Sequence, residues 1–304
     1  MKARPRAARR PSRPLAGATV RELLLASARR LERAKLSYGH GTTNALDEAA
    51  WLVLHAAGLP LGDAAPWLDR KVPPARAAAA RELVRRRIAE RKPAAYLTNE
   101  AWQGAHRFYV DERALVPRSF IAELLAERLA PWLADPEGVR SVLDLCTGSG
   151  CLAILAALAF RKARVDAADL SAEALEVAKR NVRDYRLGRR VRLVRSDLFA
   201  ALAGRRYDLI VSNPPYVKAA SMRRLPAEYR AEPALALASG ADGLEHARAI
   251  LAAAREHLAP GGLLVMEIGH NRKALEKAFP KLAFAWPQTC SGPGFVFALR
   301  REDL

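Results

Sequence analysis

The chain has 304 residues, and its 50 Lys and Arg against 32 Asp and Glu leave a net charge of +18. At roughly 100–200 residues per domain this length fits two domains, and 51% hydrophobic residues exclude a wholly disordered chain. A membrane-spanning helix needs about 20 consecutive apolar residues; no uncharged run reaches that length, and Leu145–Phe160 is interrupted by Thr147, Gly148, Ser149 and Gly150, so none is expected.

Three cysteines, Cys146, Cys151 and Cys290, are too few for a disulfide framework and fit a reducing compartment, read here as the cytoplasm. None has metal-ligand spacing, and no metal is expected. Forty of the 50 basic residues are Arg, a skew that a GC-rich genome produces as readily as selection for a basic surface. The charge still favours acidic partners, nucleic acid first.

Residues 1–15 carry Lys2, Arg4, Arg6, Arg9, Arg10 and Arg13 with no acid, which reads as a disordered basic tail. Residues 16–93 read as a small helical domain. Thr19-Val-Arg-Glu22 is a capping box opening one helix, Ala45–Ala57 a second that stops at Gly58, and Pro74–Lys92 a third. Residues 1–100 hold 20 basic and 9 acidic residues, so +11 of the charge lies there. Tail and helical domain are therefore the candidates for direct nucleic-acid contact. In 94–117, Tyr96, Trp102, Phe108, Tyr109 and Val110 alternate with polar residues around Gly104, as in a hairpin linker.

From Ser141, strand and helix signals alternate through 118–304. Strands are expected at Ser141–Cys146, Arg164–Asp169, Val191–Asp197, Tyr207–Ser212 and Gly262–Ile268. Helices are expected from Gly150, after Ser171 and over Gly243–Leu258. This rhythm implies an α/β fold with a doubly wound, mostly parallel sheet and ligands at the carboxyl ends of its strands. Residues 217–242 lack a regular pattern and read equally as a lid or an ordered surface excursion.

Four features carry chemistry. Asp144-Leu-Cys-Thr-Gly-Ser-Gly150 runs from the first strand into a helix; Gly148 and Gly150 let the backbone approach a ligand, and the helix start offers free N–H groups. Asp144 can accept from a cationic ligand group or from loop amides. Asp169 ends the next strand, where a carboxylate can accept from both hydroxyls of a ribose. Asp197 ends the third, where it can accept from an exocyclic amine, with Leu198 and Phe199 placed to flank a base. Any one of these Asp could be a helix cap, but three at successive strand ends favour an adenosine-containing ligand. The fourth feature is Asn213-Pro-Pro-Tyr216, after a strand. Pro214 and Pro215 stiffen the turn and aim the Pro214 carbonyl into the cleft. With the Asn213 side-chain oxygen it makes two acceptors, which suit a planar –NH₂ group, and Tyr216 can lie over that group. No His or Glu adjoins the motif in sequence, so no strong base is expected before attack.

On these residues the chain resembles the class I S-adenosylmethionine-dependent methyltransferases that modify planar amines. More narrowly it resembles the HemK/PrmB protein-glutamine N(5)-methyltransferases, through Tyr96–Trp102, Phe108–Arg113, Leu115–Ser119 and Glu232–Gly243. Those segments are similar to the branch acting on large-subunit ribosomal protein three (L-three) rather than on release factors. The resemblance spans about residues 16–300. It implies a Rossmann-like domain over 118–304, S-adenosyl-L-methionine as cofactor, and ribosomal protein L-three, near rRNA, as partner. It implies a cofactor set of Asp144, Cys146, Thr147, Gly148, Ser149, Gly150, Asp169, Leu170, Asp197, Leu198 and Asn213, and a catalytic set of Asn213, Pro214, Pro215 and Tyr216. Two positions depart from the pattern: Cys146 stands where many methyltransferases have the first Gly of the loop, and Phe120 where this branch usually has another Pro. Release-factor glutamine and adenine or guanine amines of rRNA or DNA remain the alternative acceptors.

Overall fold

The computed structural model describes residues 17–290 and 292–304; the basic tail expected over 1–15 lies outside them. Contacts divide the described chain into two units, one built from residues up to 35 and 44–86, the other from 36–43 and 87–304.

The first unit is helical. Thr19 caps α1 (Val20–Arg33): its hydroxyl accepts from the Glu22 amide, and Glu22 accepts from the Thr19 amide. Asn44 caps α2 (Ala45–Ala57) through the Asp47 amide. Val20 and Leu23 of α1 meet Val53 and Leu54 of α2, with Ala77 and Ala80 of α3 (Pro74–Glu90) closing the core.

In the second unit, α4 (Ala94–Thr98) leads into a hairpin, β1 (Ala101–Gln103) and β2 (His106–Phe108). The hairpin expected over 94–117 is thus confined to 101–108. After α5 (Ile121–Ala126) the chain alternates β3 (Ser141–Leu145), α6 (Cys151–Ala159), β4 (Arg164–Asp169), α7 (Ala172–Asp184), β5 (Val191–Arg195) and β6 (Tyr207–Ser212). Two four-residue helices, α8 (Ala219–Met222) and α9 (Ala227–Arg230), precede α10 (Glu245–His257), β7 (Leu258–Glu267) and α11 (Arg272–Ala278). The short pair β8 (Gln288–Thr289) and β9 (Gly292–Pro293) leads to β10 (Val296–Arg300).

The main sheet has the order β10-β7-β6-β3-β4-β5. Its first five strands in sequence pair in parallel; β10 runs antiparallel to β7, a strand the sequence reading did not anticipate. Period-2 alternation sends Val142, Leu209, Val211, Val265 and Val296 to one face, with α5 and α6. Leu143, Ile210, Leu264, Met266 and Phe297 go to the other, with α10. The winding reverses between β3 and β6, which lie side by side with Leu145 opposite Ser212. Chain leaving the carboxyl ends of these two strands opens the crevice where doubly wound sheets bind ligands.

Candidate active site

The loop after β3 is built around Asp144. Its carboxylate is fully buried at the end of the strand; Oδ2 accepts from Thr147 Oγ1 at 2.5 Å and from the Ala153 amide at 2.8 Å, pinning the loop to the first turn of α6. Oδ1 is buried with no hydrogen-bond partner. Burial, together with repulsion from Asp169, outweighs those two hydrogen bonds and pushes the carboxyl up to about 7. Cys146 turns the chain with φ 59°, in the left-handed region that favours glycine. Its thiol is pushed up by burial and by the Asp169 and Asp144 charges, so it stays protonated. Gly150 has φ 78°, and a Cβ there would sit 3.1 Å from Ala178 Cβ, so α6 and α7 approach closely only because the residue is Gly.

Asp169 leaves β4 into the same crevice. Oδ2 accepts from the Gly148 amide and Oδ1 from the Ser171 amide, at 2.8 and 2.9 Å; burial raises its pKa. Both oxygens keep a lone pair for a ligand hydroxyl. Asp197 follows β5, which ends at Arg195, and is exposed on the cleft wall beside Leu198. Phe199 corrects the sequence reading: its ring stacks on His257, 4.3 Å between centroids and 9° from parallel, within the core between sheet and α10, so it cannot flank a ligand base.

Two hollows meet here. The larger, about 740 Å³ including space open to solvent, is bordered by Cys146, Gly148, Asp169, Leu170, Asp197, Leu198, Asn213 and Pro215. The smaller, about 390 Å³, has Thr147 and Ser149 on its wall with residues 115–119. Leu115, Cys146, Gly148 and Asn213 border both. The structure therefore gathers most of the predicted residues. Asp144, Gly150, Pro214 and Tyr216 line neither hollow, though each lies within two residues of one that does. Arg113, Ala114, Pro233, Leu235 and His246 line the larger hollow and were missed. The only signal for the first four was their lying in or beside the segments that carry the family resemblance.

Asn213 continues from β6 into the Pro-Pro turn, and its Oδ1 is buried without a hydrogen-bond partner. Tyr216 does not swing freely. Its hydroxyl donates to Glu267 Oε1 at 3.2 Å, its carbonyl accepts from Asn271, and a Cβ at Gly269 would lie 2.7 Å from its ring. Glu267, at the end of β7, adjoins the motif in space though not in sequence. It also accepts from Ser119 Oγ at 2.7 Å and from the Phe120 amide at 3.0 Å. A proline at 120 would have no such donor, so Phe120 makes a hydrogen bond that Pro could not. Burial raises the Glu267 carboxyl against the pull of these donors.

Residues 217–242 are an anchored excursion. Val217 bridges to Ala238. Glu232 is buried and forms a fork with Arg118 at 2.6 and 2.7 Å, while accepting from His40 and the Val116 amide. Glu228 is buried against Arg87 and Arg91.

Among the described residues no group of three or more His, Cys, Asp and Glu is placed to hold a metal, and no helix is long and apolar enough to cross a membrane.

Residues 122–229 match the family described as Methyltransferase small domain, and residues 22–98 match the PrmC N-terminal domain. The ribosomal protein uL3 glutamine methyltransferase of Neisseria meningitidis serogroup B is 54% identical over 286 residues, covering 94% of each chain. That of Bordetella pertussis is also 54% identical, covering 94% of this chain and 96% of its own. Among solved structures, the catalytic domain of hMettl16 bound to a MAT2A 3'UTR hairpin superposes with a TM-score of 0.50 at 14% identity, over 74% of this chain and 80% of that one. That likeness speaks for the methyltransferase fold alone.

Proposed function

This chain belongs to the ribosomal protein uL3 glutamine methyltransferases, and on that premise we propose that it transfers a methyl group from S-adenosyl-L-methionine to the side-chain amide nitrogen N(5) of a glutamine in uL3, the large-subunit ribosomal protein L-three. The observation that carries the reading is Asn213: a buried side-chain oxygen with no partner, on a turn that two prolines stiffen, between two adjoining hollows.

The residues present suit the cofactor. The partnerless Asp144 Oδ1 has capacity for a cationic amino group, Asp169 for a ribose diol, and Asp197 with Leu198 for an adenine edge and face. Leu170 and the Cys146–Gly150 loop would complete the wall. When bound, the sulfonium supplies an electrophilic methyl group.

The chain's own residues act on the acceptor. A carboxamide nitrogen is a weak nucleophile because its lone pair is delocalised into the carbonyl. Asn213 Oδ1 and the Pro214 carbonyl accept its two hydrogens, turn the lone pair toward the methyl group and support positive charge growing on nitrogen. Pro215 keeps the turn rigid. Tyr216, fixed by Glu267 and Gly269, presents a face for the planar amide. The larger hollow would hold the cofactor and the smaller the glutamine side chain, with Asn213 between them. The methylated nitrogen sheds its proton readily afterwards, so no strong base is required before attack. The enzyme would work in the cytoplasm, beside assembling large subunits.

Asn213→Ala should lower kcat by 100-fold or more while calorimetric affinity for S-adenosyl-L-methionine changes by only a few-fold. Turnover near wild type would overturn the assignment. Label transferred to free uL3, and mapped by mass spectrometry to a glutamine amide, is the expected product; label in rRNA or release factor instead would move the specificity elsewhere.

A further inference from the structure

The parallel strands have a second end, and it holds a large concentration of positive charge. A hollow of about 930 Å³ opens at the amino ends of β6, β3, β4 and β5, four neighbours in the sheet, on the edge opposite the active cleft. Arg140 and Arg164 stand at the entries to β3 and β4. Arg189, Arg190 and Arg192 surround the entry to β5, and Arg205 with Arg206 precede β6. Against these seven guanidiniums the wall contains one carboxylate, Asp166.

Asp166 is already committed: it takes a fork from Arg192 at 2.8 and 2.9 Å, and further bonds from Arg205 and Tyr207. Arg190 is turned onto the Ala157, Phe160 and Ala163 carbonyls, and Arg140 onto the Glu137 and Val139 carbonyls. Arg164, Arg189 and Arg206 are exposed and have no side-chain partner among the described residues. Holding seven like charges around one hollow against a single counter-charge costs free energy, and a bound anion would relieve it. The apolar side chains on the wall, Val165, Val191 and Tyr207, are all buried. A protein partner would need an exposed apolar centre here. A polar, strongly positive, open hollow matches the phosphate backbone of nucleic acid instead.

We propose that this hollow is an RNA-backbone docking surface, which holds the protein on RNA while leaving the opposite edge of the sheet free for the methyl-transfer cleft. Strands of five or six residues separate the two edges by roughly 17–20 Å. The inference concerns binding alone, and its test needs no methyl transfer, so it can fail while the catalytic reading stands, and the reverse.

The test compares two variants of equal charge in the full chain: Arg164→Gln/Arg189→Gln/Arg206→Gln in the hollow, and Arg29→Gln/Arg30→Gln/Arg33→Gln on α1. The probe is a 20-nucleotide uridine RNA, titrated by fluorescence anisotropy from 50 to 300 mM salt, with circular dichroism confirming the fold. The hollow variant should bind at least 10-fold more weakly at 100 mM salt. Its slope of log Kd against log salt should fall by about 2, at about 0.7 per lost single-strand phosphate contact. The α1 variant should lose less than 3-fold. Equal losses in both variants would mean that binding follows net charge and would overturn the proposal, as would an unchanged hollow variant. Affinity for phosphatidylserine vesicles or polyglutamate that exceeds affinity for RNA, and is lost in the hollow variant, would assign the surface to another anion and overturn it too.

Discussion

Asp144 illustrates how one buried atom links stability to ligand binding. Its ordinary pKa is near 3.8 and burial lifts it to about 7 in the folded chain. The folded state therefore holds a proton that the unfolded state has lost between these values. This contribution is fully present below pH 4 and fades as pH rises toward 7, on the order of 4 kcal/mol in all. A ligand ammonium group at Oδ1 would restore the carboxylate. Binding of S-adenosylhomocysteine at pH 6 should then release close to one proton, read by calorimetry in two buffers of different ionisation heat. Release should vanish at pH 8.5 and in Asp144→Asn; no release at pH 6 would remove Asp144 from ligand contact. The neighbouring Cys146 gives a backbone test. With φ at 59°, Cys146→Gly should leave unfolding free energy within about 1 kcal/mol, whereas Cys146→Val should cost about 2 kcal/mol or more, by urea titration. Asp169, Asp197 and Asn213 were legible in the sequence because each stands at or just beyond the end of an expected strand. Glu267 was not: its partner Ser119 is 148 residues away, and a Glu closing a strand carries no local mark.

At the scale of elements, the excursion over 217–242 shows what periodicity cannot reveal. It has no repeat because it is held by buried charge rather than by an apolar face. Burial raises the Glu232 carboxyl, but the charge and hydrogen bonds of Arg118 and the His40 bond outweigh it and hold the group at about 2. The folded value lies below the unfolded value of about 4.5, so the stabilisation is complete above pH 4.5 and is lost as pH falls toward 2. Removing one partner leaves the others buried and unpaired, so Glu232→Ala should lower stability by about 3–5 kcal/mol in urea. The variant should also lose much of the wild-type decline between pH 4.5 and 2; an unchanged acid limb would show that Glu232 does not carry it. The strands and helices that position the cleft were legible, since capping boxes and period-2 runs are local. β10 was not, because Val296-Phe-Ala-Leu-Arg300 falls outside the alternation of strand and helix signals and its antiparallel pairing with β7 depends on the finished sheet.

Across the whole molecule, linear order and spatial order of charge differ. Along the chain, +11 of the +18 lies in the first 100 residues, in the tail and helices. Yet the arginines of the strand-entry hollow are dispersed between positions 140 and 206, and only parallel pairing sets the four strand starts side by side. The same topology predicts where a ligand is felt. Every residue bordering the larger hollow belongs to the second unit, in segments 113–115, 146–148, 168–174, 196–198, 213–215 and 233–236 with His246. S-adenosylhomocysteine at 100 times its Kd should stabilise the folded state it binds by about 2.7 kcal/mol. Hydrogen exchange should then slow in those six segments, most in the loops after β3 and β4, where backbone amides are organised around Asp144 and Asp169. Exchange over 17–35 and 44–86 should be unchanged, because none of those residues touches the hollow and the helices there have their own core. Slowing of equal size over α2 would contradict this and place part of the ligand's free energy in the first unit.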